Sequence, residues 1–156
     1  MTEQRYFEDF RLGERFEAPS RTLTDAHFLF FAGLTGDNHP IHYDVEYARE
    51  KTAFGRPLAH GLLMSALTAL GAGALASHVH ESMIAFLEQR CRFRAPAYVG
   101  DTMYPALEVS ELIPKQGRGV LKMRATITNQ RGELVLEGEH VYLVRTRAGS
   151  TEPTGA

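Results

Sequence analysis

Residues 61–77 read GLLMSALTALGAGALAS, and this segment dictates the architecture of the chain. Apolar residues occupy nearly the whole circumference of the helix that it predicts, which is expected only where other structure encloses the helix on most sides. The apolar run from Gly61 to Ala76 is shorter than the roughly 20 residues that span a bilayer. We therefore expect a helix that begins near His60 and is buried within the protein.

The sequence that follows supplies the structure that encloses this helix. Residues 120–128 alternate in character, as in a strand with one inward and one outward face, and residues 129–132 favour a hairpin turn. Four long strands are predicted, separated by glycine, proline or polar turns, at 83–94, 101–113, 118–130 and 133–146. The pattern predicts an α+β fold in which a long antiparallel sheet wraps around a central apolar helix.

The chain has the usual size of a single domain at 156 residues. Residues 1–23 mix aromatic and charged side chains around Gly13, which favours an extended entry segment or a short strand with a turn. Residues 147–156 have no apolar side chain other than alanine and predict a flexible C-terminal tail. We expect one domain over residues 1–146, followed by this tail.

The composition is typical of a globular protein, with 44% hydrophobic and 23% charged residues and a net charge of -2. So balanced a charge offers no broad attraction for nucleic acids or anionic membranes, and neither is an expected partner. Cys91 is the single cysteine, which excludes an internal disulfide. The N-terminus has acidic residues where a secretory signal would be apolar, so a cytoplasmic location is expected.

Two predicted short helices flank a polar loop at residues 36–42, with the sequence GDNHPIH. Thr24 is placed to cap the first helix, and Asp44 is placed to cap the second, VEYAREK at 45–51. A glycine and a proline within the loop oppose regular structure and hold polar side chains there. Loops of this composition often carry function.

Asp37 and His42 lie five residues apart on this loop. A bend at Pro40 would bring a carboxylate and an imidazole together around one water molecule, as an acid–base pair. The other interpretation is a turn whose polar side chains are locally hydrogen-bonded. Gly61, at the start of the buried helix, would present an unpaired N–H to a developing negative charge and allow close approach of a ligand. Acid–base catalysis of this kind, with an N–H donor for the developing negative charge, requires neither a metal nor a redox cofactor.

The sequence around this loop resembles the MaoC-like dehydratases, which include the (R)-specific enoyl-CoA hydratases. The run FAGLTGDNHPIHYDVEYAREKTAFGRPLAHGLLMS at 31–65 contains Gly-Asp, Pro-Ile-His, Tyr-Ala, Phe-Gly-Arg-Pro and Ala-His-Gly in the family's order. The segments YFEDFRLGE at 6–14 and YVGDT at 98–102 also look like family segments. The resemblance covers most of residues 5–145.

The resemblance implies a hotdog fold, a homodimer and an acyl-CoA thioester bound in a tunnel near the subunit interface. Carried over by position, the catalytic aspartate falls on Asp37, the catalytic histidine on His42 and the oxyanion glycine on Gly61. The implied reaction is stereospecific hydration of a 2-enoyl-CoA to the (R)-3-hydroxyacyl-CoA, or its reverse, with no cofactor beyond the coenzyme A of the substrate. One departure is His39, which precedes Pro40 where family members commonly have asparagine.

Two other functions fit the same fold. An acyl-CoA thioesterase would use a carboxylate to help water attack the thioester carbonyl, and the paired histidine argues against it. A noncatalytic acyl-CoA-binding module would keep the fold without turnover, and the intact Asp37, His42 and Gly61 argue against that. The sequence does not choose between coenzyme A and acyl carrier protein, because both end in the same phosphopantetheine arm.

The histidines near the loop have further interpretations. His60 is expected to order the start of the central helix, with substrate contact as the alternative. A metal site is conceivable because imidazoles and carboxylates bind divalent metals, with Asp37, His39, His42, Asp44 and His60 as possible ligands. No metal is expected, because His39 and His42 would have to converge across a proline.

The strand at 83–94 places Cys91 and Phe93 on one face and three arginines on the other. The cysteine is expected to be a buried structural thiol. The stripe of Arg90, Arg92 and Arg94 is typical of a solvated sheet face, and Arg94 is the arginine we select as a candidate contact to coenzyme A phosphates. Two glycines at 71 and 73 weaken the central helix, which suggests close packing or room for an acyl chain.

Overall fold

The computed structural model describes residues 3–151, which form an α+β domain with a six-stranded antiparallel sheet. The sheet order is β1-β4-β5-β6-β3, and β2 pairs with β4. The strands are β1 (Arg15–Glu17), β2 (Arg21–Thr22), β3 (Met83–Phe93), β4 (Thr102–Lys115), β5 (Arg118–Asn129) and β6 (Leu134–Arg145). The helices are α1 (Asp25–Thr35), α2 (Val45–Lys51), α3 (Gly61–Ala66) and α4 (Leu75–Val79). None of the helices within residues 3–151 is long and apolar enough to cross a membrane.

The four long strands form where the alternating pattern predicts them. On β5, Leu121, Met123, Ala125 and Ile127 are all buried, while the residues between them are exposed or half-buried. The β5–β6 hairpin turns at Gly132, whose φ of 74° is in the left-handed region that favours glycine. The sheet prediction is therefore confirmed in strand number and within two residues at each strand end.

The central apolar segment is not the single helix that we predicted. It consists of α3, a 3₁₀ turn at Leu70–Ala72 and α4. Gly73 has extended backbone and lies against the end of β1, where a Cβ would be 3.4 Å from the carbonyl oxygen of Glu17. The long sheet still encloses the broken helix, with Met64 and Val79 buried beneath it.

Both flanking helices occur where they were predicted. Thr24 is the N-cap of α1, and the Asp44 carboxylate accepts a hydrogen bond of 2.9 Å from the Tyr47 N–H at the start of α2. Phe28 of α1 packs in one apolar cluster with Leu63, Met64 and residues of β6. Residues of α1 and α3 thus share one cluster on the sheet, and the loop after α1 contacts the N-terminus of α3 through Asp37 and His60.

The C-terminal segment begins against the N-terminal one. The backbone N–H of Arg147 donates to the Glu8 carboxylate, and its guanidinium lies 2.6 Å from the Asp9 carboxylate. Residues Ala148–Thr151 form a 3₁₀ turn. The predicted tail at 147–156 is therefore packed at its start, while residues 152–156 lie outside the described residues.

A buried polar chain joins the central segment to β6. Thr68 donates its hydroxyl proton to the Ser65 carbonyl at 2.7 Å, so it accepts the hydrogen bond of 3.0 Å that joins it to His140 Nε2. His140 Nδ1 then accepts from the Tyr142 hydroxyl at 2.7 Å. Both hydrogen bonds use the neutral form of the imidazole, and burial lowers the pKa of His140 to about 4.

This network predicts acid sensitivity of the fold. Because the folded-state pKa of His140 is depressed, its contribution is fully present above the ordinary pKa near 6.5 and is lost as the pH falls towards 4. Protonation of His140 should lower the free energy of unfolding by roughly 2 to 3 kcal/mol between pH 7 and about pH 4.5. Urea unfolding of wild type and His140→Gln at both pH values measures it, and a stability difference that does not narrow at the lower pH would contradict the prediction.

Candidate active site

The polar loop begins at the end of α1 and turns sharply towards the sheet. Gly36 ends the helix with a φ of 76°, and its N–H donates to the Ala32 carbonyl at 2.8 Å. A 3₁₀ turn at Pro40–His42 follows, and the Nδ1 of His39 accepts a hydrogen bond of 3.2 Å from the Ile41 N–H. His39 thus caps this turn, as an asparagine oxygen at that position would.

His42 is oriented by a main-chain carbonyl. Its Nδ1 lies 2.7 Å from the oxygen of Leu58, which can only accept, so Nδ1 carries the proton. Leu58 is held in turn by an isolated antiparallel bridge to Tyr98, and its N–H donates to the Ile41 carbonyl at 3.2 Å. In neutral His42 the Nε2 lone pair is therefore free to take a proton.

The carboxylate of Asp37 faces this lone pair. Its Oδ1 accepts a hydrogen bond of 3.4 Å from the His39 N–H, and its Oδ2 lies 4.0 Å from His42 Nε2. That separation is too long for a direct hydrogen bond, but two bonds of about 2.8 Å to one water molecule can bridge it. The Asp37 side chain is 46% exposed, whereas that of His42 is 14% exposed, so one side of the pair is open to a ligand.

His60 lies beneath the pair. It is the N-cap residue of α3, where its carbonyl accepts from the Met64 N–H, but its side chain makes no capping hydrogen bond there. Instead its Nε2 lies 3.2 Å from the Asp37 main-chain oxygen, and its ring stacks on His42 with 3.7 Å between ring centroids. Burial is the main cause that lowers the pKa of His60.

One potential ligand atom from each of Asp37, His42 and His60 lies within 4.8 Å of the other two, which is close enough for a metal site. The two imidazole rings are stacked at 24°, and their in-plane lone pairs therefore do not converge on one point. One nitrogen of each ring is also engaged by a main-chain carbonyl. The geometry favours acid–base use of these groups over metal binding.

Gly61 is the first residue of α3, and none of the hydrogen bonds described for residues 3–151 uses its N–H. A Cβ at this position would lie 3.0 Å from the Phe93 ring, so a larger residue would require that ring to shift. Gly61 thus combines an unpaired donor with a backbone that a ligand can approach.

Two cavities meet at His42. The first, which we call the Gly61 cavity, has a volume of about 370 Å³ and is lined mainly by apolar side chains, together with Gly61 and Arg94. The second, the Arg56 cavity, has a volume of about 480 Å³ and is lined by apolar residues and by Asp25, Arg56 and Tyr98. A ligand with a reactive centre at His42 can therefore extend in two directions.

The arginine stripe has carboxylate partners on the sheet. Arg94 pairs with Glu137, and Arg90 lies 2.7 Å from Glu139, which raises the pKa of Arg90 through a hydrogen bond. This is the solvated charged face that the alternation predicts, with Arg94 at the edge of the Gly61 cavity. On the opposite face Cys91 is only half-buried, and its Sγ lies 3.1 Å from the Ser65 hydroxyl.

Besides the role of His60, two features of this site were not predicted from the sequence. Leu58 acts through its carbonyl, and no residue type encodes that role. The Arg56 guanidinium lies 3.9 Å from the centre of the Tyr98 ring at the edge of the larger cavity, and only the sequence Phe-Gly-Arg-Pro drew attention to its neighbourhood.

Comparison with known proteins agrees with the fold. A family model described as a MaoC like domain matches residues 9–131. The chain is thus a hotdog-fold protein, and it belongs to the MaoC-like dehydratase family. Both expectations drawn from the sequence resemblance are confirmed.

Individual relatives carry related names. The chain is 33% identical to a 3-hydroxybutyryl-CoA dehydratase of Methylorubrum extorquens, over 89% of this chain and 83% of that protein. It is 28% identical to an (R)-specific enoyl-CoA hydratase of Rhodospirillum rubrum, over 91% and 93%. A solved structure named monoamine oxidase regulatory protein, from Archaeoglobus fulgius, is 37% identical with a TM-score of 0.86, over 93% of this chain and 97% of that one.

Proposed function

We propose that the chain is a hydro-lyase that adds water to 2-enoyl-CoA thioesters to give (R)-3-hydroxyacyl-CoA, or removes it in the reverse direction. The observation that carries the proposal is the bare Nε2 of His42 facing the Asp37 carboxylate across 4.0 Å, a gap that one water molecule fits. The names of the two curated relatives, a dehydratase and a hydratase of acyl-CoA, support the substrate class and the R configuration.

The tautomer of His42 suggests how the proton moves. Nε2 takes a proton from the water as its oxygen bonds to C3 of the enoyl group, and Asp37 orients the water and stabilises the imidazolium. The electron pair of the double bond passes towards the thioester oxygen, where the N–H of Gly61 would stabilise the enolate. His42 then returns the proton to C2, so water is added and the pair regains its starting state.

The two cavities suggest how the substrate is oriented in the site. If Gly61 binds the thioester oxygen, the thioester lies in the Gly61 cavity, and the acyl chain extends past His42 towards the Arg56 cavity. Arg94 would then lie near the pantetheine arm, where its guanidinium could bind phosphate. Coenzyme A and acyl carrier protein share that arm. The scheme needs no metal and no further cofactor, and both absences stay predictions, as does a cytoplasmic location.

Hydration assays test this function. With crotonyl-CoA, wild type should remove the conjugated enoyl absorbance without releasing free thiol, and Asp37→Asn or His42→Gln should lower kcat by about 100-fold or more because each removes half of the pair. His80→Gln, at an exposed histidine, serves as the matched control and should keep full activity.

Other results would point to the competing functions. Release of free thiol would identify a thioesterase. Binding of enoyl-CoA without turnover, over a panel of chain lengths, would identify a noncatalytic module and would contradict the proposal.

We also propose that two copies associate through β3. This strand is at the edge of the sheet, paired on one side with β6, and it exposes four large apolar side chains at 40–53%, namely Ile84, Phe86, Leu87 and Phe93. Phe93 packs on Gly61, so a partner at this edge would lie beside the site and shelter it from solvent.

Sedimentation equilibrium tests the dimer. Wild type should have twice the chain mass of 17.4 kDa, and Leu87→Glu should shift the equilibrium towards the monomer because it places a charge in the apolar interface. A monomeric wild type at micromolar concentration would overturn this assembly.

A further inference from the structure

His60 contacts both members of the proposed catalytic pair and has no other evident task. Its Nε2–H donates a hydrogen bond to the main-chain oxygen of Asp37, and the face of its ring stacks on the ring of His42. It is 2% exposed, so neither contact is exchanged for water. The two contacts reach opposite ends of the loop that carries the pair.

A buried histidine at position 60 is not explained by the stability of the fold. Since Nε2 donates to a carbonyl, Nδ1 is a bare acceptor, and it is a buried side-chain atom without a hydrogen-bond partner among the described residues. An unpaired buried acceptor destabilises a fold. Phe28 and Phe31 pack against the ring, so a phenylalanine would suit the surroundings better on packing grounds alone.

The two contacts of His60 restrict motions that the hydrogen bond between His42 and Leu58 still allows. The bond from Nδ1 to Leu58 fixes one edge of the His42 ring but permits rotation about that bond. Stacking on His60, at 3.7 Å between centroids, fixes the plane of the ring and so directs Nε2 at the carboxylate. The hydrogen bond to Asp37 fixes the main chain from which that carboxylate extends.

His60 also remains uncharged beside a group that gains a proton. The titratable groups that face it are Asp37 and His42, while α1 presents only the two phenylalanine rings. A neutral imidazole can stack on an imidazolium without placing two cations in contact. A phenylalanine at this position would keep the stacking ring but lose the hydrogen bond to the Asp37 main chain. A glutamine would keep a hydrogen-bond donor but lose the ring.

We propose that His60 is a positioning residue, which fixes the Asp37 main chain through its Nε2–H and the plane of His42 through its ring. This deepens the proposed hydratase function and, for its kinetic test, rests on it. In His60→Phe, kcat for crotonyl-CoA should fall by about 10- to 100-fold while KM changes by less than about threefold, because small displacements of catalytic groups act on the transition state.

Two further variants make the kinetic test specific. His60→Gln restores a donor to the Asp37 oxygen and should recover part of the lost kcat. His140→Gln, at a buried histidine outside the site, is the control and should keep wild-type kcat. Wild-type kcat in His60→Phe, or a loss confined to KM, would overturn the proposal, as would an equal loss in the control.

A second measurement does not depend on activity. In ¹⁵N-histidine NMR of the wild-type protein at about pH 8, where both imidazoles are neutral, His60 should be the Nε2–H tautomer and His42 the Nδ1–H tautomer. A His60 that is protonated on Nδ1, or that titrates near its ordinary pKa, would overturn the positioning role. If both tautomers are found but no enoyl thioester is hydrated, the proposed function fails while the positioning contacts stand.

Discussion

The hydrogen bond from His42 Nδ1 to the Leu58 carbonyl is the interaction on which the rest of the site depends. It selects the tautomer with a bare Nε2, and without it the imidazole could present either nitrogen to Asp37. Leu58 can serve because its segment is paired with the sheet-connecting loop, through the bridge to Tyr98 and the bond from the Ala59 N–H to the Ala97 carbonyl. The same pairing precedes the helix start at Gly61, so the two groups that we propose as base and oxyanion donor are held by one connected segment.

The fold separates stability from chemistry. The long sheet and the broken central helix form the apolar core. The site lies at the N-terminus of α3, beside the edge strand β3. Polar groups in the core, such as His140, are satisfied by neighbours, but those at the site keep unused hydrogen-bonding capacity. Unused donors and acceptors destabilise a fold and are useful where a substrate must be bound.

How far the sequence predicts this arrangement depends on the physical origin of each feature. Strands were predicted closely because period-2 alternation follows from burial of one face, as on β5. The prediction of one helix over 61–77 was wrong because apolar composition does not distinguish a continuous helix from two short helices joined by a 3₁₀ turn. Asp37 and His42 were found from loop chemistry and family resemblance. The role of His60 could not be found, because ring stacking and main-chain hydrogen bonds between residues 18 to 23 positions apart have no local pattern.

In the proposed reaction Asp37 and His42 act on one water molecule from one face of the double bond. Hydration of crotonyl-CoA in D₂O, followed by NMR assignment of the product's relative configuration at C2 and C3, tests it most directly. We predict syn addition, with deuterium and hydroxyl delivered to the same face, because a single pair of side chains handles both the oxygen and the proton. Anti addition would contradict the account, since it requires an acid on the opposite face from the base.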